Sequence, residues 1–506
     1  MFGVCAGASA FGGEYGAILD DYTPLFPENA EPVAVSAAPQ GIYASYYAPN
    51  GVMQTGYNQN VAFAGTNVAY AEDAEAAPAA PLSTEDQLAE LQAQFKELQA
   101  EVKKKQDKAD STKKFIPKIG GIIIADALAV DQSGGTEATY GDINNGFPLR
   151  EARIIVKGEG YKYFSYECGF ALQNSLSQYQ AGLLCKNIYV QAKEVPIFGS
   201  VKAGHMKVET CMSERDQLIN SPGISYFSGN TMSFSPHRRF GIGSMTTYLD
   251  KRLRWWNGFY AGRGFTDAAA VLDDAPGYII NTRLTGVPIL REDANGDLEE
   301  VLHIGGSAYW YVAGNGTNTV KVRARPTAWY GAMPYLLSGT INLERGYNVK
   351  VAEMAWQRGQ LGIVSENFVA DYQDHGTAWA STLALRCFLT EGCYRTYSTT
   401  GGGFGNAHIA NNISRKEGNK GLCPDDWGAF EVVTMYSYTD MDNLENVSGA
   451  TYGTMHEGIV GLNWWLCPDL RISATYTQAY CDSAKVGKEK QRSNNNTTGI
   501  QMNFQY

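Results

Sequence analysis

The sequence has no apolar run long enough to cross a bilayer as a helix. Its longest nearly apolar stretch, "IGGIIIADALAV", falls well short of the about 20 residues such a span needs. Helical membrane spans are therefore excluded. No CxxC pair occurs among the nine Cys (Cys5, Cys168, Cys185, Cys211, Cys387, Cys393, Cys423, Cys467, Cys481), which argues against a zinc-ribbon type of metal site. No G-x-S-x-G, G-x-G-x-x-G, P-loop or H-E-x-x-H pattern is present, and the six His (His205, His237, His303, His375, His408, His456) are dispersed singly. A barrel hydrolase would need a Ser or Asp activated by one of those His, assembled by the fold alone. No catalytic residue, metal ligand set or cofactor is expected, and the chain is read as not an enzyme. Basic excess is lacking too: the formal charge is -11, so nucleic acid is not an expected partner.

That charge is uneven. Residues 1–82 hold eight acids and no Lys or Arg, so the remainder of the chain is nearly neutral. This first segment is rich in Ala, Pro, Tyr and Gly without sustained periodicity and reads as low-complexity chain. At its start, "ASA" (Ala8 to Ala10) has the small residues that end a signal peptide, so residues 1–10 are read either as a signal remnant or as an ordinary Gly/Ala-rich start. Residues 83–114 open with Ser83 and Thr84 before acids, as a helix start does. Leu88, Leu91, Phe95, Leu98 and Val102 then follow the 3-4-3-4 spacing of a coiled-coil seam. The lysines that end this segment suit a helix C-terminus, and they could also meet anionic lipid or a cell-wall polymer.

From residue 115 to 506 the pattern is short segments of period two separated by Gly-rich or polar stretches. The end, "GIQMNFQY", alternates Ile500, Met502, Phe504 and Tyr506 with the amides Gln501, Asn503 and Gln505. Such a strand has one greasy face and one polar, uncharged face. A strand between lipid and a water-filled lumen needs that pattern. Gly (55) and Tyr (31) are abundant, as tight turns and ring-lined edges require. Dividing this region by strands plus alternating short and long connections gives on the order of 16 strands. The expected fold is all-β: an antiparallel transmembrane β-barrel preceded by a short coiled-coil helix and the low-complexity segment, with the last strand closing on the first and its terminal ring at an interface girdle.

The blocks "GDINNGFPLREARIIVKGEG", "IYVQAKEVPIFGSVKAGHMKVE", "FLTEGCYRTY", "GAFEVVTMYSYTDMDN" and "GIVGLNWWLCPDLRISATYTQAY", in this order and spacing, resemble the phosphate-selective porin O and P family of outer-membrane channels. The resemblance implies a water-filled pore of 16 strands in the outer membrane, trimeric, with short periplasmic turns. One departure is "LTEGC" where such porins read LTGE. The expected function is passive diffusion of small hydrophilic solutes, with a preference for anions such as phosphate. A structural or adhesive surface protein anchored by a barrel is the alternative. Expected partners are outer-membrane lipid, the solutes, two further copies of the chain in a homotrimer, and the cell wall through the coiled coil.

Charge facing the lumen is where selectivity would reside. In "TVKVRARP", Lys321, Arg323 and Arg325 alternate with Val320, Val322 and Ala324. If the apolar set meets lipid, the three cations line the pore. The same logic places Arg153 and Lys157 inward, beside Glu151 and Glu159. Two long stretches, residues 209–230 and 398–412, are candidates for loops that fold into the lumen. Cys387 with Cys393, and Cys168 with Cys185, are the nearest candidate disulfides. Unpaired thiols serving as small apolar side chains are the other reading.

Overall fold

A computed structural model of the chain describes residues 93–104, 116–140, 142–143, 145–172, 184–216, 218–222, 224, 229–262, 277–314, 319–327, 336–338, 340–410, 412–413, 427–445, 451–485 and 491–506. The low-complexity segment 1–82, Leu88, Leu91, Cys5 and Cys423 lie outside the described residues. Residues 93–104 are helical, and Phe95, Leu98 and Val102 on this helix are exposed.

Sixteen long strands form one closed antiparallel barrel. They are β1 (Ile116–Gln132), β2 (Leu149–Gly160), β3 (Phe164–Ala171), β4 (Leu184–Val195), β5 (Gly199–Lys207), β6 (Arg238–Tyr248), β7 (Leu253–Ala261) and β8 (Tyr278–Glu292). The second half comprises β9 (Leu298–Val312), β10 (Gly346–Arg358), β11 (Leu361–Asp371), β12 (Thr377–Phe388), β13 (Ala429–Asp440), β14 (Thr451–Cys467), β15 (Leu470–Lys485) and β16 (Gln491–Gln505). Each strand pairs with its sequence neighbours. The last closes on the first, in a register running from Ile122 opposite Gln505 to Gln132 opposite Asn495. Beyond the strand end, Tyr506 N donates to Gly121 O (3.1 Å) and Gly121 N to Tyr506 O (2.9 Å). Gly121 is required there, because a Cβ would lie 2.6 Å from the backbone carbonyl oxygen of Arg153, and as close to the Tyr506 ring.

Side-chain alternation is inside-out relative to a soluble sheet. Phe240, Ile242, Phe259, Leu284, Val460, Ile500 and Met502 point outward and are exposed, whereas Arg283, Glu353, Glu431, Arg471, Gln501 and Asn503 point inward and are buried. Lipid accepts the first set, and hydrogen bonding inside the barrel satisfies most of the second. β12 shows how sequence sets this up. Its outward Trp379, Leu383 and Leu385 are bulky, while inward Ala378, Ala380 and Ala384 are small and leave lumen space for inserted chain.

Three connections fill that space. The first, between β5 and β6, carries short helices at Met212–Arg215 and Gly229–Phe234. A second, between β9 and β10, contains the two-residue segments Thr319–Val320 and Arg323–Ala324, paired with Ile341–Asn342 and Leu336–Leu337. Both pack against inward residues near the long-loop end, including Phe234 and Val322 against Tyr309, Phe368 and Met455. The third insert, between β12 and β13, enters from the opposite end. Each of the other connections at that end, 161–163, 196–198, 249–252, 293–297, 359–360 and 468–469, is a short turn.

"TVKVRARP" is therefore not a barrel strand. Val322 and Ala324 are buried against inserted and inward-facing residues, not against lipid, so they do not fix the direction of the cations between them. Of the two readings of the Cys, the unpaired one holds at the candidate positions: Cys168, Cys185, Cys387 and Cys393 are free thiols. Cys393 is buried in a small apolar cluster with Phe388 and Trp465, while Cys387 alternates onto the opposite face from Arg386 and Phe388.

Candidate functional site

The connection from Val208 to His237 crosses the lumen and is tied to the far wall. Met212 N donates to Glu353 Oε2 (2.6 Å) and Ser213 N to Glu366 Oε1 (2.7 Å). Asn230 Nδ2 donates to Ser381 O (2.9 Å) and Thr382 Oγ1 (2.8 Å). Arginines hold its middle by carbonyl oxygens: Arg386 Nη1 donates to Asn220 O (2.6 Å) and Arg471 Nη1 to Ser221 O (2.5 Å). The amide face of the last strand completes the anchor. Gln501 Nε2 donates to Ile224 O (3.0 Å) and to Asp126 Oδ1 (2.9 Å). With the connection pinned to β10–β12, β15 and β16, free space remains beside β4–β7.

That space is a cavity of about 300 Å³ lined by Gln191, Lys202, Glu209, Arg215, Trp256 and Tyr260. Ser398, Thr400 and Gly401 of the third insert also border it. Arg215 lies 5.5 Å from the Trp256 ring centroid and Arg283 4.9 Å from it, so the indole carries a guanidinium on each contact. Lys202 sits 4.9 Å from the Tyr189 ring centroid. Lys207, which also borders the cavity, donates to the Glu214 carbonyl. The acid on this wall is Glu209, 3.0 Å from Arg215 and 3.7 Å from Arg283. Burial works against its charge, but Arg215, Lys202 and Arg283 outweigh it and hold the carboxyl below its ordinary range. Glu214 on the same connection is likewise held at about 2, since the His237 ring, Lys207 and Arg238 outweigh burial. Asp216 shows the opposite balance: burial dominates over the pull of Arg395 and Arg386 and raises it to about 6.

Both stretches expected to enter the lumen, 209–230 and 398–412, do so through their described residues. Arg153 is inward but bonded to Glu151, with Nη2 at 3.0 Å, so part of its charge is neutralised locally. Lys157 is exposed near the short turn 161–163. Lys321 is exposed and Arg323 and Arg325 are half-buried in the second insert. None of these five borders the cavity. Residues that do, Lys202, Glu209 and Arg215, were open to a parity argument only in part: period two in "SVKAGHMKV" turns Lys202 inward with Ser200, whereas the two loop residues have no period to read. Arg283 and Glu353, deeply buried and 2.7 Å apart, gave no sequence signal of pairing.

The family model for phosphate-selective porin O and P matches residues 124–506. The chain belongs to this porin family. It is an outer-membrane porin channel. Among solved structures, the porin is similar to a loop L8 deletion mutant of the Vibrio cholerae outer membrane protein OmpT, at 12% identity and TM-score 0.43, over 78% of this chain and 99% of that one. It is also similar to the outer membrane channel DcaP of Acinetobacter baumannii (8%, TM-score 0.41, 78% and 99% covered) and to Pseudomonas putida OprB (9%, TM-score 0.41, 77% and 94%). No curated protein matches it.

Proposed function

We propose that the porin passes small hydrophilic solutes by diffusion along the β4–β7 side of the lumen, with preference for anions, and does no bond-making chemistry. The observation that carries this is the charge of the cavity wall, where Lys202, Lys207 and Arg215 face one acid, Glu209. Positive charge in a confined, low-dielectric passage concentrates anions and lowers their entry barrier. Lys321, Arg323 and Arg325, on an insert packed at the long-loop end, and Arg153 with Lys157 on β2, extend the positive field on either side of that cavity. Purified porin in planar bilayers tests the reading: stepwise current is expected, and Lys202→Gln with Arg215→Gln reduces anion preference. Absence of current, with envelope integrity lost in cells lacking the protein, would instead support a structural role.

A homotrimer is part of the same proposal. The exposed Phe95, Leu98 and Val102 continue the 3-4 spacing and give copies of helix 93–104 an apolar seam on which to pair. Lys103 and Lys104, exposed at its end, offer cations to a cell-wall polymer. Native mass measurement in detergent, with and without residues 83–114, tests the assembly, and co-sedimentation with isolated cell wall tests the contact.

A further inference from the structure

The short turns of the barrel are of two chemical kinds. Turns 293–297 and 359–360 place Gly296 (φ +87) and Gly359 (φ +52) where the backbone is left-handed. In the first, Asn295 N and Asp297 N both donate to Asp293 Oδ1, at 2.8 Å each. Turn 468–469 is Pro-Asp. Glu292, Asp297, Glu299 and Asp469 are exposed around these turns, beside Arg291 and Arg358. Glycine at the left-handed positions and an acidic surround suit turns that stand in water.

Turns 161–163, 196–198 and 249–252 are built otherwise. Their left-handed positions include Tyr161 (φ +52), Ile197 (φ +70) and Leu249 (φ +51). A bulky or β-branched side chain is an outlier in that region, because its Cβ crowds the following carbonyl. Packing within the chain does not offset the strain: Tyr161 is 52% exposed, Leu249 72% and Ile197 87%. The turns are nevertheless held in place by neighbouring hairpins. Lys193 N donates to Tyr163 O (2.7 Å), Thr246 Oγ1 to Ile197 O (3.2 Å) and Val287 N to Arg252 O (2.8 Å). The greasy outer wall of β2–β7 runs down to these tips, from exposed Val190, Phe259 and Trp255 to exposed Phe164, Phe198 and Tyr248. Lys162, Lys251 and Arg252 are exposed at the tips themselves, against Asp250 and, beside the second turn, Glu194. Lys162 Nζ stands 5.5 Å from the Tyr163 ring centroid, which keeps that cation beside the apolar surface.

We propose that these three turns form a docking surface for anionic phospholipid of the leaflet that meets the short-turn end. Tyr161, Ile197 and Leu249 enter among the upper acyl chains, and Lys162, Lys251 and Arg252 meet the phosphate groups above them. Continuity with the lipid-facing wall makes the bilayer the occupant, and the cations at the tips select its charged lipids. The left-handed backbone then has a purpose: a tight, tethered turn projects an apolar side chain at a fixed depth without a mobile tail. Anionic headgroups are repelled by the acidic turns of β8–β15, so the barrel sits deeper in the leaflet along β2–β7. The surface is separate from the passage of solutes, since none of these residues borders the cavity.

Lipid retention by the full-length porin in detergent, read by native mass spectrometry after adding phosphatidylglycerol or phosphatidylcholine, tests this. The wild type is expected to retain phosphatidylglycerol in preference. Lys162→Gln with Lys251→Gln should weaken phosphatidylglycerol retention roughly tenfold and leave phosphatidylcholine unchanged, as two cations at an anionic surface predict. Ile197→Asn with Leu249→Asn should weaken retention of both lipids with heat-modifiable migration intact, because Asn accepts a left-handed backbone. Single-channel conductance should match the wild type in both variants. Equal retention of the two lipids by the wild type, or unchanged phosphatidylglycerol retention in the lysine variant, would overturn the proposal. Unchanged lipid retention in the Asn variant together with a loss of oligomer mass would also overturn it, because the tips would then be seated on a second copy of the chain.

Discussion

Glu353→Ala is the substitution that most directly separates barrel from constriction. In the native protein the Glu353 carboxylate accepts from Arg283 Nε (2.9 Å) and from Met212 N (2.6 Å), and stands 2.7 Å from Arg283 Nη2 and 3.2 Å from His303 Nε2. Arg283 is fully buried, so removing its partner leaves a cation in the lumen wall whose remaining ion-pair partner among the described residues is Glu209, at 3.7 Å. Breaking a buried ion pair on one side costs about 3–5 kcal/mol. The barrel does not bear that cost, because its strands are closed by backbone ladders all round. The first insert bears it, since Met212 N loses its acceptor and the end nearest the cavity is released. At 1.4 kcal/mol per tenfold, the detached population rises by roughly two to three and a half orders of magnitude, moderated by the remaining anchors at Glu366, Thr382, Arg386, Arg471 and Gln501. Single-channel recordings should therefore show flickering substates and a larger mean conductance, with heat-modifiable migration unchanged. Glu353→Ala combined with Arg283→Met should restore part of the quiet trace, as the stranded cation is gone. A single variant as quiet as wild type would refute the reasoning, because it would mean the ion pair does not hold the constriction.

Three further outcomes follow from the same geometry. Asp216, on the first insert and outside the spanning strands, is raised from 3.8 to about 6, facing Arg395, Arg386, Lys207 and Arg215. Its folded-state proton is held more tightly than in the unfolded chain, so its contribution to stability is present below about pH 4 and is lost as pH rises through about 6. Anion preference should accordingly increase as pH falls from 7 to 5, and Asp216→Asn should flatten that response in reversal-potential titrations. Ile242→Arg, on the outward face of β6, should reduce membrane insertion by about 2–4 kcal/mol if it reaches the midplane, read as lower folding yield into vesicles. Val322→Asp places a charge in the apolar packing between the second insert and the wall, and should loosen that insert in proteolysis assays while the barrel remains protease-resistant.

Period two made the barrel legible. In "GIQMNFQY" the alternation identifies both faces, and the amides assigned to water indeed turn inward, where Gln501 serves as an anchor for the first insert. The length of residues 209–230 and 398–412 marked them as insertions because neither fits a tight turn. What could not be read was the partner of an apolar face. Val322 and Ala324 alternate with cations as a barrel strand would, yet lipid and packed protein select the same apolar side chains, so parity alone does not tell a spanning strand from a segment folded into the lumen. The cavity itself is formed by residues far apart in sequence, such as Lys202, Arg215 and Trp256, whose meeting depends on where the far-wall anchors place the first insert. Glu353 and Arg283 belong to strands that are not neighbours and carry no local mark of their pairing.

The measurement closest to the central claim is the zero-current potential of purified wild-type porin in a planar bilayer separating unequal KCl concentrations. A lumen whose open side is lined by Lys202, Lys207 and Arg215 predicts a sign set by chloride, diminished in Lys202→Gln with Arg215→Gln. A potassium-set sign in the wild type would contradict the account.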